Sequence, residues 1–190
     1  RFDAQIVTGL YSANEYTALG ASTASKGSVK IGGKEYKGLN GKLLGSNVKA
    51  LIRNNEEGSE LLLMLADSAR TNALNVSSDE IETLTAGEMK YETSSKSVKL
   101  SSPALIYNGK AEDISKLVVP ENGFVTLYDN DKNGSYDVIK VTEYENILVS
   151  GISTLTNTVT GKNAEKLVLD PGNTAISFTL TDAEGALFDF

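Results

Sequence analysis

The stretch FVTLYDNDKNGSYDVIKVTEY, Phe124 to Tyr144, decides how the chain is read. Two runs alternate apolar and polar residues, the pattern of strands with one buried face. Between them acids and amides alternate, and a glycine permits a sharp bend. The segment reads as a β-hairpin with an unusual loop. Working outward, the same pattern recurs. GSVKIGGKEYKGL reads as two short strands around Gly32-Gly33, a two-residue hairpin signal. NVKALIRNNEEGSELLLML and TAISFTLTDAEGALFDF each read as strand, loop, strand, and EMKYETSSKSVKL and PALIYNGKAED add strands around Ser-rich and Asn-Gly turns. Helical signals are confined to SSDEIETL, with Ser77 or Ser78 as cap, and AEDISKLV.

The expected fold is therefore all-β: two small barrel- or sandwich-like units built from hairpins, with few short helical turns. A boundary near DSARTNALN divides the chain into an N-terminal unit, 1–70, and a C-terminal unit, 71–190. Alternation places Val48, Ala50, Ile52, Leu61, Leu63 and Leu65 in the first core, and Val125, Leu127, Tyr136 and Val138 in the second. Pro120 and Pro171 fall at strand edges, where a missing N–H is harmless. The hairpins around Gly58 and Gly134 superpose at an offset of 76 residues, so either a β unit is duplicated or two turns share a geometry.

Composition narrows the function classes. Apolar residues make up 40% of 190, enough to bury a core. The net charge of −7 argues against nucleic acid, whose phosphates call for clustered Lys and Arg. The longest apolar run, LLLMLA, is far short of the ~20 residues that span a bilayer as a helix. Cys and His are both absent, which removes disulfides, Cys–His zinc sites and His-based triads. The opening residue is not Met and no signal segment follows, which reads as an excised or processed part of something longer.

The loop carries the one pattern with chemistry in it. Calcium takes six to eight oxygen ligands from a tight, flexible loop. DNDKNGSYD offers side-chain oxygens at Asp129, Asp131 and Asn133, a bend at Gly134, the Ser135 carbonyl, and Asp137 directly or through a water. These match the first nine places of the EF-hand pattern. The twelfth, a bidentate Glu there, is Lys140 here, and the flanks are strands, so a true EF-hand is not expected. Two readings stand: a weak calcium loop on a hairpin, and a turn whose acids are merely solvated. The hairpin with NNEEG is a control, since it closes a similar turn without the full set of acids.

Other motifs lack companions. SNVK, Ser46 to Lys49, matches a Ser-x-x-Lys pattern inside an expected strand. GLNGKLLG lacks phosphate-loop spacing and reads as a turn. Tyr11, Tyr16 and Tyr36 suit either sugar stacking or core packing.

NGFVTLYDNDKNGSYDVIKVTEYENILV, Asn122 to Val149, resembles a segment of bacterial cell-surface proteins that carry S-layer homology domains. IYNGKAED, Ile106 to Asp113, and LLGSNVKALIRN, Leu43 to Asn54, resemble the pieces that precede it there. The S-layer homology repeats, which attach to cell-wall polymer, are not in this sequence, so no anchoring role carries over. The related turns often have another acid where Asn133 stands, which lowers the expected calcium affinity here. The resemblance implies an extracellular, non-enzymatic, β-rich region of a surface-layer or envelope-associated protein, with self-association or other envelope proteins as partners. A cell-wall glycan-binding module and a phage or virion structural protein are the alternatives.

Overall fold

The computed structural model describes residues 3–20, 22–38, 42–56, 58–144, 146–153, 158–163 and 175–179. The protein is all-β. Five strands close a barrel: β1 (Ala4–Asn14), β2 (Ser28–Ile31), β3 (Lys34–Lys37), β4 (Asn47–Asn55) and β5 (Gly58–Ala66), in the order β1-β2-β3-β5-β4 and back to β1. Strand β1 is shared. Residues Ala4 to Leu10 pair with β4, and from Tyr11 onward it pairs with β2, with an irregularity between Tyr11 and Ala13. Such an irregularity bends a strand, as a small barrel requires. Closure is completed by a parallel pairing of Lys37 in β3 with Glu60 in β5.

A second sheet follows: β6 (Asn72–Ser77), β7 (Ile81–Leu84), β8 (Glu88–Tyr91), β9 (Lys96–Tyr107), β10 (Lys110–Glu112), β11 (Gly123–Asp129) and β12 (Ser135–Glu143). Its order is β6-β11-β12-β9-β8-β7, with β10 also on β9. All pairings are antiparallel except β9 with β12. A third sheet joins β13 (Ile147–Ser153), β14 (Thr158–Asn163) and β15 (Ala175–Thr179) in that order.

The turn chemistry read from the sequence is what shapes the hairpins. Gly32 and Gly33 have φ of 57° and 80° and join the paired residues Ile31 and Lys34. That is the primed two-residue turn whose twist suits a hairpin. Asn108 and Gly109, with φ of 44° and 74°, do the same between Tyr107 and Lys110. The two expected helical pieces are single 3-10 turns, Ser78–Glu80 and Ile114–Lys116. Ser77 occupies the cap position of the first without a side-chain cap bond, whereas Asp113 caps the second by accepting the Ser115 N–H at 2.8 Å. Of the stretch TAISFTLTDAEGALFDF, Ala175–Thr179 is strand; the turn and strand expected after it, and Pro171, lie outside the described residues. The two offset hairpins close differently. Asn55 pairs with Gly58, but the last pair before the acidic loop is Tyr128 with Val138.

Two clusters of buried side chains hold the fold. Tyr11, Val29, Ile31, Val48, Ala50 and Ile52 are among those that fill the barrel, and Val76, Met89, Leu105, Val125, Leu127 and Ile139 among those under the second sheet. The barrel cluster also contains Ile106, Tyr128 and Val138 from β9, β11 and β12. Val138 therefore completes the core of the barrel, although its strand belongs to the other sheet. Tyr136 is half-buried and packs on the second cluster.

Strand β5 departs from the expected pattern. Leu61 packs on the barrel core, but Leu63 and Leu65 are 52% and 57% exposed, and Met64 is buried instead. The cause is a bulge. Leu51 pairs with Leu63 and Ile52 with Leu61, so Leu62 is an extra residue and the inward phase shifts by one. Met64→Ala should therefore cost about 2–4 kcal/mol through the cavity it leaves. Leu63→Ser should cost less than about 0.5 kcal/mol, the range for an exposed site. Urea denaturation of the two variants checks this order; equal losses would contradict the bulge.

Candidate metal centre

The acidic loop is thrown out between Asp129 at the end of β11 and Ser135 at the start of β12. Its geometry brings three of the sequence-predicted ligands together. One carboxylate oxygen each from Asp129, Asp131 and Asp137 lie within 4.8 Å of one another. An ion at 2.3–2.6 Å from each ligand spans ligand pairs up to about 5 Å apart, so the three can share one ion. Oxygen-only donors suit a hard cation such as calcium.

Local hydrogen bonds hold each acid. Asp129 is 1% exposed; its Oδ1 accepts the Asn133 N–H at 3.2 Å and its Oδ2 the Gly134 N–H at 3.1 Å. The Asn72 amide adds a third donor at 3.4 Å from β6. Gly134 has φ of 85°, a backbone state that suits glycine and turns this N–H inward. Asp131 is exposed and accepts from the Asn133 side-chain amide at 2.8 Å, while Asn133 Oδ1 accepts the Ser135 N–H at 2.8 Å. Asn133 and Ser135 are thus tied into the loop beside the acids. Lys140, at the place of the missing Glu, is buried and donates to the Lys42 carbonyl at 3.1 Å, toward the barrel.

The residue that sequence reasoning passed over is Asn130. It holds Asp137 through its backbone N–H at 3.0 Å and its side-chain amide at 2.8 Å. The same side-chain amide donates to the Gly45 carbonyl at 2.9 Å. Its Oδ1 accepts from the Asn47 N–H at 3.1 Å and the Thr71 hydroxyl at 2.8 Å, and its carbonyl accepts from the Asn47 side chain at 2.9 Å. One amide between two acids thereby ties the loop to the start of β4 and to the β5–β6 link. Gly45 lets the two parts approach. A Cβ there would sit 2.9 Å from Val138 and 3.1 Å from Ile106, and its φ of 94° already disfavours a side chain.

The electrostatics leave the loop short of positive charge. Among the described residues no Lys or Arg is ion-paired to Asp129, Asp131 or Asp137. The Lys132 ammonium donates to the Ser68 carbonyl at 2.7 Å. Like-charge repulsion across such distances is roughly 1–3 kcal/mol per pair near a wet surface. Burial pushes the Asp129 pKa up, but the hydrogen bonds, led by the Gly134 N–H and the Asn72 amide, outweigh it and hold the group below the usual carboxylate value.

The remaining motifs find ordinary partners. Ser46 donates to the Leu43 carbonyl at 2.8 Å, and the Lys49 ammonium lies 3.4 Å from buried Asp67, in ion-pair but not hydrogen-bond geometry. A cleft of about 470 Å³ beside the junction is lined by residues including Asn47, Asp67, Thr71, Asn72 and Tyr128, with Asp67 its one carboxylate. Tyr11 and Tyr36 are inside the barrel core, Tyr91 and Tyr128 are buried too, and Tyr16 and Tyr144 are exposed, so the tyrosines singled out for sugar stacking do not share one open face. Among the described residues no helix is long and apolar enough to cross a membrane. Comparison with protein-family models, curated proteins and solved structures finds no match.

A depressed folded-state pKa means that Asp129 contributes stability above its unfolded value near 3.9, and that this is lost as pH falls through the lower folded value. Between about pH 5 and pH 2 in EDTA, the wild-type melting midpoint should therefore fall more steeply than that of Asp129→Asn. Parallel curves would show that Asp129 is not held as a carboxylate by these donors.

Proposed function

We propose that this chain is a non-enzymatic structural module of a bacterial cell-surface protein, and that its 129–137 loop takes calcium to fasten barrel to sheet. The observation that carries this is the meeting of the Asp129, Asp131 and Asp137 carboxylates on a loop whose Asn130 is bonded to the barrel. Three acids on one tight turn repel, and a divalent ion turns that repulsion into a cross-link. The resemblance of residues 122–149 to surface-layer-associated proteins points to the same setting, outside the cell, where calcium is abundant. Self-association or contact with other envelope proteins is a role that an all-β module of this kind suits.

The ion would meet three carboxylates, with the Asn133 side-chain oxygen and the Ser135 carbonyl as further donors. Lys140 in place of a bidentate Glu and an amide at Asn133 keep the affinity low, with a dissociation constant on the order of 0.1–1 mM. At calcium near 1 mM and a constant near 0.1 mM, linkage gives about 1.4 kcal/mol of stabilisation. Thermal melts in EDTA and in calcium should show this gain for the wild type and lose most of it for Asp131→Ala, whose side chain is exposed. A wild-type transition unmoved by calcium up to ~10 mM, a hundred times the tighter expected constant, would return the loop to a solvated turn.

A further inference from the structure

The bulge in β5 leaves an apolar patch on the outside of the barrel. Ile6, Leu51 and Leu63 lie side by side across β1, β4 and β5, because Ile6 pairs with Leu51 and Leu51 with Leu63. Ile6 is 71% exposed and Leu51 half-buried; Leu65 and the bulge residue Leu62 are exposed beside them. A soluble surface scatters such residues singly, and a contiguous row of them marks a contact site.

The charges around the row say what covers it. The chain carries a net −7, yet the outward positions of these strands bear Lys49 and Arg53 against one acid, Glu60. Arg53 pairs with Glu60 through both Nε and Nη2, and Lys49 lies against Asp67. This face is therefore free of the acidic excess that makes identical copies repel. It also carries both signs at one end of the row, so a two-fold axis running along the strands sets each Arg53 beside the Glu60 of the other copy. We propose that the outer face of β1, β4 and β5 is a self-association surface, and that its occupant is a second copy of this chain. This rests on the assembly role proposed above and names the surface that serves it.

Area sets the strength. Three strands about 4.8 Å apart and nine residues at about 3.3 Å each give a face of roughly 450 Å² with side chains, or about 900 Å² for two copies. That is below the ~1,200–2,000 Å² of standard stable complexes, so one contact is weak and depends on concentration.

Sedimentation velocity from about 10 μM to 1 mM is the test, with folding checked by circular dichroism, since contacts of this size are weak. The wild type should shift toward dimer across this range. Leu63→Glu with Leu65→Glu, and separately Ile6→Glu on the neighbouring strand, should sediment as monomer throughout. Val118→Glu, at an exposed apolar residue away from these strands, should associate like the wild type. A wild type that stays monomeric at the highest concentration overturns both this surface and self-association as the form of the assembly role. Association that survives the β1 and β5 glutamates overturns the surface alone and leaves the assembly role standing.

Discussion

One side-chain amide holds the two halves of this structure in register. The Asn130 carboxamide donates to the Gly45 carbonyl and to Asp137, and accepts from the Asn47 N–H and the Thr71 hydroxyl. All four partners sit at a partly buried junction, where an unpaired polar group costs about 1–3 kcal/mol. The junction beneath is apolar: Ile106, Tyr128 and Val138 enter the barrel core, and Gly45 gives them room. Packing supplies the attraction, and the amide network supplies the orientation.

The acidic loop gains its meaning from that position. A turn needs none of these acids to close, as the Asn54–Ser59 hairpin shows; there the Ser59 hydroxyl donates to Asn54 Oδ1 at 2.7 Å. In the Asp129–Asp137 loop the carboxylates are instead gathered by N–H donors, at an electrostatic cost that one divalent ion would relieve. Asp137 and Asn130 share two hydrogen bonds, so an ion that fixes Asp137 also steadies the amide that grips the barrel. Calcium would thus act on the junction as well as on its own loop.

Much of this was legible in the residues. Gly32-Gly33 and Asn108-Gly109 fix their turns because few other pairs accept two positive φ angles. The alternation in β4, β11 and β12 gives Val48, Ala50, Ile52, Val125, Leu127 and Val138 their buried faces. The three acids were legible too, because their spacing on a tight turn forces them together. The misreading of Leu63 and Leu65 has a physical source: LLLMLA, Leu61 to Ala66, is apolar at every outward and inward place, so nothing in it marks the extra residue at Leu62. The parallel pairing of β9 with β12 was equally silent, since it joins segments with no turn between them. Asn130 looked like a spacer between ligands because its barrel-side partners, Gly45, Asn47 and Thr71, lie more than fifty residues away in sequence.

Hydrogen exchange reads the loop and the junction separately, residue by residue. The Asn133 and Gly134 amides report the loop, and the Asn47 amide, bonded to Asn130 Oδ1, reports the barrel side. Calcium at a few millimolar, above the constant expected for such a loop, should slow exchange at all three in the wild type. In Asn130→Ala it should slow exchange in the loop and leave Asn47 unchanged. Protection at Asn47 that ignores calcium in the wild type would contradict the account, for the loop would then bind or not bind without any hold on the barrel.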